Sequence, residues 1–292
     1  MKASQNVVLE SHHVPSLGER VRLQEYAVGI FRTIVSRKGI KKAIKRGRIS
    51  VNSDKGKTGD WITGGERIDL LRGGSHKRPS IHLDLEVLFE DDYLAVVNKP
   101  AGILVSGNKR FTVENSLSSL LKRSGEFDAL QHPEPIHRLD YPTTGALLIG
   151  KTVSVVHSLN QKFESRDIRK TYLAVTCGKM SDSGIIEDLI DGKECRTEFH
   201  KLKEISSVRY TCLNLLEVRP ITGRRHQIRR HLAGFGFPLF GDATYQPKDG
   251  RVAGKGLYLH AHTLQFTHPV TGNKLKVNAP IPKKFLNLFP KL

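Results

Sequence analysis

The chain has 292 residues, 38% of them hydrophobic and 26% charged, a composition that suits a globular protein and excludes a short peptide or a disordered chain. Lys and Arg number 47 against 29 for Asp and Glu, so the formal net charge is +18 and the expected partner is a polyanion, with nucleic acid first. We find no apolar stretch of export-signal or membrane-span length and no disulfide or metal-ligand spacing among the three cysteines, so we expect a cytoplasmic protein without membrane attachment.

The positive charge is concentrated near the start of the chain. Residues 1–80 hold 17 basic and 7 acidic side chains, so about a quarter of the length carries more than half of the excess charge. The densest part predicts a helix with Ser36 as N-cap and Gly47 as its stop, apolar on one face and cationic on the other. An ordinary solvated helical face is the alternative to a nucleic-acid contact. The candidate RNA-binding residues of this helix are Arg37, Lys38, Lys41, Lys42 and Lys45.

A change in composition predicts two domains. Strands are expected at Ile49–Asn52 and Glu66–Leu71, and the polar, Gly- and Pro-containing stretch Gly73–Ser80 is typical of an interdomain linker. We therefore expect an N-terminal tail at residues 1–18, a small basic domain at 19–72, a linker at 73–82 and a larger domain at 83–292.

The larger domain alternates strand-like and helical patterns. Helices are predicted at Val153–Ser165 and Arg225–Ala233. The whole predicts an α+β fold with a mixed, largely antiparallel central sheet and flanking helices. The predicted strands are Leu85–Phe89, Tyr93–Asn98, Ala146–Gly150, Thr171–Cys177, Arg209–Val218 and Gly256–Leu264.

Three segments of the larger domain have a composition that indicates chemistry. Ile136–Gly145 places Asp140 near Arg138 before a strand, where a carboxylate kept ionised by a cation can act as nucleophile or base; a simple turn cap is the alternative. Lys170–Val175 carries Tyr172, which is either a core residue or a platform for an unstacked base. Arg219–Leu232 contains five arginines, two histidines and no acid, which indicates either an anion site or an exposed basic helix.

In their order and separation these segments resemble the RluA-type pseudouridine synthases. The residues that carry the resemblance are His137–Asp140 with Thr143–Gly145, Lys170-x-Tyr172-x-Ala174, and Thr222-Gly223-Arg224-x-His226-Gln227-Ile228-Arg229-x-His231. Shorter similar segments are Asn98–Gly102, Pro238–Asp242, Leu259–Ala261 and Phe266–Pro269, so the resemblance covers nearly all of residues 83–292. The basic N-terminal part is similar, over a shorter stretch, to the RNA-binding domain of ribosomal small-subunit protein four.

The resemblance implies the isomerisation of uridine to pseudouridine in structured RNA, without cofactor or metal. Asp140 corresponds to the catalytic aspartate and Arg229 to the basic residue that pairs with it, while Tyr172 corresponds to the aromatic residue that packs on the target base. Arg138 resembles the arginine that fills the space of the extruded nucleotide. Further substrate-binding residues are expected at Arg224, His226 and Gln227.

The RNA target and the quaternary structure follow only as expectations. Family precedent favours large-subunit ribosomal RNA, with transfer RNA second, and we expect a monomer without an obligate protein partner. A non-catalytic RNA-binding factor for ribosome assembly is the first alternative function. A metal-dependent nuclease using Asp242, His260 and His262 is another, although no acidic cluster accompanies these histidines in the sequence.

Overall fold

The chain divides into two units, Met1–Arg78 and Pro79–Leu292, each with its own hydrophobic core. The computed structural model describes residues 7–34, 36–71, 81–247, 254 and 256–290. Residues 73–80 of the expected linker therefore lie outside the described residues. Within the described ranges no helix is long and apolar enough to cross a membrane.

The N-terminal unit is a small α/β structure. Its four-stranded antiparallel sheet has the order β1-β6-β3-β4, and β2 pairs with β5. The elements are β1 (Val8–His13), β2 (Val21–Arg22), α1 (Leu23–Tyr26), α2 (Arg37–Lys45), β3 (Ile49–Val51), β4 (Asp54–Lys55), β5 (Trp61–Ile62) and β6 (Arg67–Leu71).

Strand β1 corrects the expected N-terminal tail. It pairs with β6 from Val8 opposite Leu71 to His13 opposite Arg67, so the unit begins well before residue 19. The Glu10 carboxylate further accepts hydrogen bonds from the backbone N–H groups of Arg32 and Thr33. The strand was missed because none of its residues is buried, so it lacks the apolar alternation that identifies a half-buried strand.

Helix α2 confirms the sequence-based helix in the basic segment. The Ser36 hydroxyl accepts a hydrogen bond from the backbone N–H of Gly39 at 3.1 Å, which caps the N-terminus. Gly47 has a left-handed φ of +66°, as a helix-terminating glycine requires. Ile40, Ala43 and Ile44 are buried in the core of the unit. The opposite, cationic face therefore remains in solvent.

The larger unit is built on one ten-stranded sheet. Its main path is β12-β13-β14-β11-β15-β10-β8-β7, with β16 beside β15 and β9 beside β10, and this confirms the α+β fold with a largely antiparallel sheet. The elements are β7 (Val87–Glu90), β8 (Leu94–Lys99), α3 (Val113–Leu120), β9 (Ala129–Pro135), β10 (Thr144–Thr152), α4 (Val153–Glu164), β11 (Arg169–Cys177), β12 (Ser183–Ile186), β13 (Thr197–Ser207), β14 (Thr211–Pro220), α5 (Gln227–Gly234), β15 (Leu259–Thr267), β16 (Lys274–Asn278) and α6 (Lys283–Leu288).

Strands β10 and β15 run parallel at the centre of this sheet. Thr144 pairs with His260, and Gly145 with Ala261. Gly145 has a φ of +113°, and a Cβ atom there would collide with the backbone of Ala261, so this close approach requires glycine. Tyr172 of β11 pairs with the other side of Ala261. The start of β10, where the Asp140 turn ends, is therefore one strand away from Tyr172.

Candidate active site

Asp140 lies in a tight turn that enters β10. The Thr143 N–H donates a hydrogen bond to the Asp140 carbonyl at 3.0 Å, which closes the turn. Behind it the fully buried Lys99 donates from Nζ to the carbonyl oxygens of Thr143 at 2.8 Å and Tyr141 at 3.3 Å. Burial lowers the pKa of Lys99 to about 8, against the opposing effect of the Asp140 charge. The turn is thus fixed from inside, while the Asp140 side chain remains 14% exposed.

Arg229, on helix α5, is shared between two carboxylates. Its Nη1 lies 3.3 Å from Oδ2 of Asp140, as the resemblance implied. Its Nε and Nη2 donate to both oxygens of Asp242 at 2.8 and 2.9 Å, and Nη2 also donates to the Thr244 hydroxyl. Burial would raise the pKa of Asp242, but hydrogen bonds from Arg229 and from the backbone of Thr244 and Tyr245 lower it. Asp242 is therefore a carboxylate that anchors the guanidinium.

Sequence reasoning did not find this anchoring role of Asp242. Its segment, Pro238–Asp242, was noted only as similar to the family, and Asp242 itself was considered as a nuclease residue. The sequence does contain one indication of this role: Arg219–Leu232 has no acidic residue. A buried arginine from this segment therefore needs a carboxylate from elsewhere in the chain.

Tyr172 is half-buried and stands beside the Asp140 turn. It packs against both the cluster that contains Leu139 and the cluster that contains Ile228. Burial, with the Asp140 charge as the second cause, raises the pKa of its hydroxyl well above the ordinary value. Tyr172 is therefore a neutral phenol at neutral pH, which can offer an aromatic face and a hydrogen-bond donor but is not ionised.

His226 precedes helix α5 and faces Asp140. Its Nε2 is 3.7 Å from Asp140 Oδ1, and its Nδ1 is 2.9 Å from the Tyr245 hydroxyl. The residue has a left-handed φ of +56°, which is why α5 begins at Gln227 rather than at Arg225 as predicted. Arg225 consequently lies outside the helix and is exposed, whereas Arg229 is buried.

Gln227 does not have the expected role of substrate contact. It is buried, and its Oε1 accepts hydrogen bonds from the Thr222 hydroxyl and the Arg224 N–H, at 2.7 and 3.0 Å. Its Nε2 donates to the Arg196 carbonyl and the Thr197 hydroxyl. All its polar capacity is used inside the protein, so we revise its role to that of holding the turn before α5.

The remaining candidate residues are on the surface. Arg138 and Arg224 are exposed. In the N-terminal unit Arg37 forms an ion pair with Glu25 at 2.7 Å, and the other four cations predicted on α2 are also exposed. Their arrangement leaves them accessible to a large anionic ligand.

The residues of the nuclease alternative are engaged elsewhere. Asp242 holds Arg229, and the buried His260 hydrogen-bonds through Nδ1 to the Thr144 hydroxyl at 2.8 Å. His262 Nδ1 is 2.9 Å from the Ala279 carbonyl. In the described part of the chain, no group of three or more His, Cys, Asp or Glu residues is arranged to hold a metal ion.

The chain is similar in sequence to known RNA-modifying proteins. Residues 93–234 match the family described as RNA pseudouridylate synthase. Ribosomal large subunit pseudouridine synthase D of Xanthomonas campestris is 32% identical over 289 residues, which cover 88% of this chain and 85% of that protein. The dual-specificity RNA pseudouridine synthase RluA of Haemophilus influenzae is 30% identical over 220 residues, 69% of this chain and 95% of that one.

The chain is also similar to a transfer RNA enzyme and to a solved human structure. The tRNA pseudouridine synthase C of Pasteurella multocida is 32% identical over 239 residues, 70% of this chain and 95% of that protein. The human RNA pseudouridylate synthase domain containing 4 has a TM-score of 0.56 at 24% identity and covers 69% of this chain and 90% of its own. This similarity supports the fold of the larger unit.

Proposed function

Since the chain belongs to the RNA pseudouridylate synthase family and is an isomerase that converts uridine to pseudouridine in RNA, we propose that its substrate is ribosomal large-subunit RNA. The relatives named as large-subunit enzymes, from Xanthomonas campestris and Nitrosomonas europaea, support this target. Transfer RNA is the second candidate, because one relative is named as a transfer RNA enzyme. The net charge of +18 suits either polyanion.

We propose Asp140 as the catalytic group. The observation that carries the assignment is its largely buried carboxylate, held at 3.3 Å by Arg229 and next to the neutral ring of Tyr172. The reaction breaks the bond between ribose and the ring nitrogen, rotates the uracil and joins ring carbon five to the sugar. An ionised carboxylate can assist as a nucleophile or as a charge partner for the sugar. Tyr172 would pack on the base, and the exposed Arg138 would fill the space that the extruded nucleotide leaves.

We propose that the N-terminal unit increases the affinity for RNA. Its exposed cations on α2 can neutralise phosphates, and a domain of the ribosomal small-subunit protein four type would supply this function. We further propose that the protein works as a monomer in the cytoplasm and needs no cofactor. Three free, buried cysteines agree with a reducing compartment.

The test is pseudouridine mapping of ribosomal and transfer RNA from cells that lack the protein. The cells are complemented with the native chain or with Asp140→Asn, which keeps the shape of the side chain but removes its charge. We expect one or a few large-subunit sites to lose modification and only the native chain to restore them. Restoration by Asp140→Asn would overturn the assignment of Asp140, and loss confined to transfer RNA would overturn the ribosomal target.

A further inference from the structure

His226 has a backbone conformation that few residues other than glycine adopt. Its φ of +56° is left-handed, and it occurs at the N-cap of α5, one residue before the fixed side chain of Gln227. The His226 carbonyl accepts the first helical hydrogen bond, from the Arg230 N–H at 2.9 Å. Strained residues concentrate at functional sites, where the surroundings enforce the conformation. Here the conformation directs the imidazole toward Asp140.

The contacts with Tyr245 and Asp140 together favour one tautomer of the His226 imidazole. Nδ1 lies 2.9 Å from the Tyr245 hydroxyl, which can donate or accept. If the hydroxyl donates to Nδ1, the proton is on Nε2 and faces the carboxylate of Asp140. The opposite tautomer would direct a nitrogen lone pair at a carboxylate oxygen, which is electrostatically unfavourable. The arrangement therefore favours Tyr245 as donor and Nε2–H as the group that faces Asp140.

The two oxygens of Asp140 have different neighbours. Oδ2 is 3.3 Å from Nη1 of Arg229, and Oδ1 is 3.7 Å from Nε2 of His226. The second separation is longer than a hydrogen bond, so the two groups face each other without forming one in this structure. Catalytic hydrogen bonds are often long in a free enzyme and tighten when the substrate is bound. Once both donors are engaged, the carboxylate can no longer rotate freely about its Cβ–Cγ bond.

Burial keeps His226 from adding a second cation to the site. Burial is the largest cause that lowers its pKa, and Arg229 and Arg225 act in the same direction, while Asp140 and Asp242 oppose them. The imidazole is thus neutral at neutral pH and serves as a neutral donor. Among the residues that the structure describes, the hydrogen-bond partner of its side chain is the Tyr245 hydroxyl.

We propose that His226, oriented by Tyr245, is a positioning residue that fixes the rotation of the Asp140 carboxylate, with Arg229 holding the other oxygen. This inference rests on the proposed role of Asp140 in catalysis. It assigns His226 to the alignment of the reacting group rather than to the binding of RNA, the role expected from the sequence. Tyr245, which also lies under the guanidinium of Arg229 at 5.1 Å, becomes part of the same arrangement.

Two substitutions of His226 distinguish the effect of its backbone conformation from the effect of its Nε2–H donor. Asparagine tolerates the left-handed conformation, but its amide reaches only as far as Nδ1. Glutamine places an amide donor at about the position of Nε2. We expect His226→Asn to reduce the single-turnover rate at saturating RNA by about ten- to a hundredfold, the effect of one hydrogen bond to a charged group, with an unchanged Kd for RNA. His226→Gln should recover part of that rate.

Tyr245→Phe tests the orientation of the ring. It removes the hydroxyl that contacts Nδ1 of His226 but keeps the aromatic ring beside Arg229. A reduced rate with an unchanged Kd is expected here too. Full activity of His226→Asn, a Gln variant no faster than the Asn variant, or a raised Kd at an unchanged rate would each overturn the inference.

Asp140→Asn, assayed in the same way, separates the two proposals. If this variant is inactive while His226→Asn has the native rate, only the role of His226 fails. If Asp140→Asn retains the native rate, the proposed function of Asp140 fails first. Circular dichroism and thermal unfolding of each variant confirm that a slow rate does not come from an unfolded chain.

Discussion

At the scale of single residues, the Arg229–Asp242 ion pair anchors the guanidinium that contacts Asp140. The Arg229 side chain is 4% exposed and that of Asp242 is fully buried. Removing the Asp242 carboxylate leaves a buried cation whose remaining side-chain hydrogen bonds are with the Thr244 hydroxyl at 3.1 Å and the Asp140 carboxylate at 3.3 Å. Breaking a buried ion pair in this way costs about 3–5 kcal/mol. We expect Asp242→Ala to lower the free energy of unfolding by about 3 kcal/mol and to abolish isomerisation, measured by urea denaturation and a uridine conversion assay.

A surface ion pair supplies the control for this prediction. Glu187 is 62% exposed and pairs with Arg196, which also binds Glu198. Exposed pairs contribute about 0–1 kcal/mol, so Glu187→Ala should unfold almost as the native chain does. Equal stabilities of the Asp242 and Glu187 variants would show that Arg229 finds another partner.

The residues of the site differ in how far the sequence could identify them. Asp140 and Arg229 stand in long motifs, and their contact at 3.3 Å agrees with what the resemblance implied. The structural role of Gln227 could not be predicted from the sequence, because a glutamine in a motif can either bind RNA or stabilise a turn. Tertiary hydrogen bonds to Arg196 and Thr197 decide its role.

At the scale of elements, the close approach of β10 to β15 brings the Asp140 turn beside Tyr172. Gly145→Ala would force a Cβ atom against the backbone of Ala261 at a φ of +113°. The backbone strain and the forced separation of the strands both destabilise the fold. We therefore expect the free energy of unfolding to fall by about 2 kcal/mol or more, with a large drop in activity. Gly125→Ala is the matched control: its Cβ meets nothing within 4 Å, and stability should stay within about 0.5 kcal/mol.

The charged face of α2 gives a second prediction at this scale. Lys41→Ala with Lys45→Ala removes two exposed cations and leaves the buried face of the helix unchanged. RNA binding should weaken, and the log-log dependence on salt should become shallower by about 0.7–0.9 for each lost phosphate contact. The same change of charge at the exposed Lys274 and Lys276 of β16 is the control. Equal slopes for the two double variants would remove the role of α2.

The sequence predicted the central strands better than the outer ones, and burial explains why. Strands such as β8 and β10 are buried on both faces and appear as apolar runs. Strand β13 was missed because its apolar residues Phe199, Leu202 and Ile205 are spaced by three. A bulge between Lys201 and Lys203 breaks the two-residue period, so Phe199 and Ile205 pack in different clusters.

At the scale of the whole molecule, the two units have separate cores. We therefore predict that the affinity for RNA and the rate of isomerisation can be lowered independently. Ile68 is fully buried in the core of the N-terminal unit, while Asp140 and Tyr172 belong to the larger unit. Truncating such a residue costs about 2–5 kcal/mol, so Ile68→Ala should destabilise the N-terminal unit selectively. Hydrogen exchange should accelerate in β3 and β6 and stay unchanged in β10 and β11.

The kinetics of the Ile68→Ala variant test whether the N-terminal unit contributes to RNA binding alone. If the N-terminal unit contributes binding and the larger unit chemistry, the Kd for RNA should rise while the single-turnover rate at saturating RNA stays within about twofold of the native value, because uniform binding energy does not enter that rate. Val97→Ala, in the core of the larger unit, is the matched variant and should instead accelerate exchange in β8 and β10. If either variant lost protection from hydrogen exchange in both units together, the units would unfold as one. The assignment of RNA binding to one unit and isomerisation to the other would then be wrong.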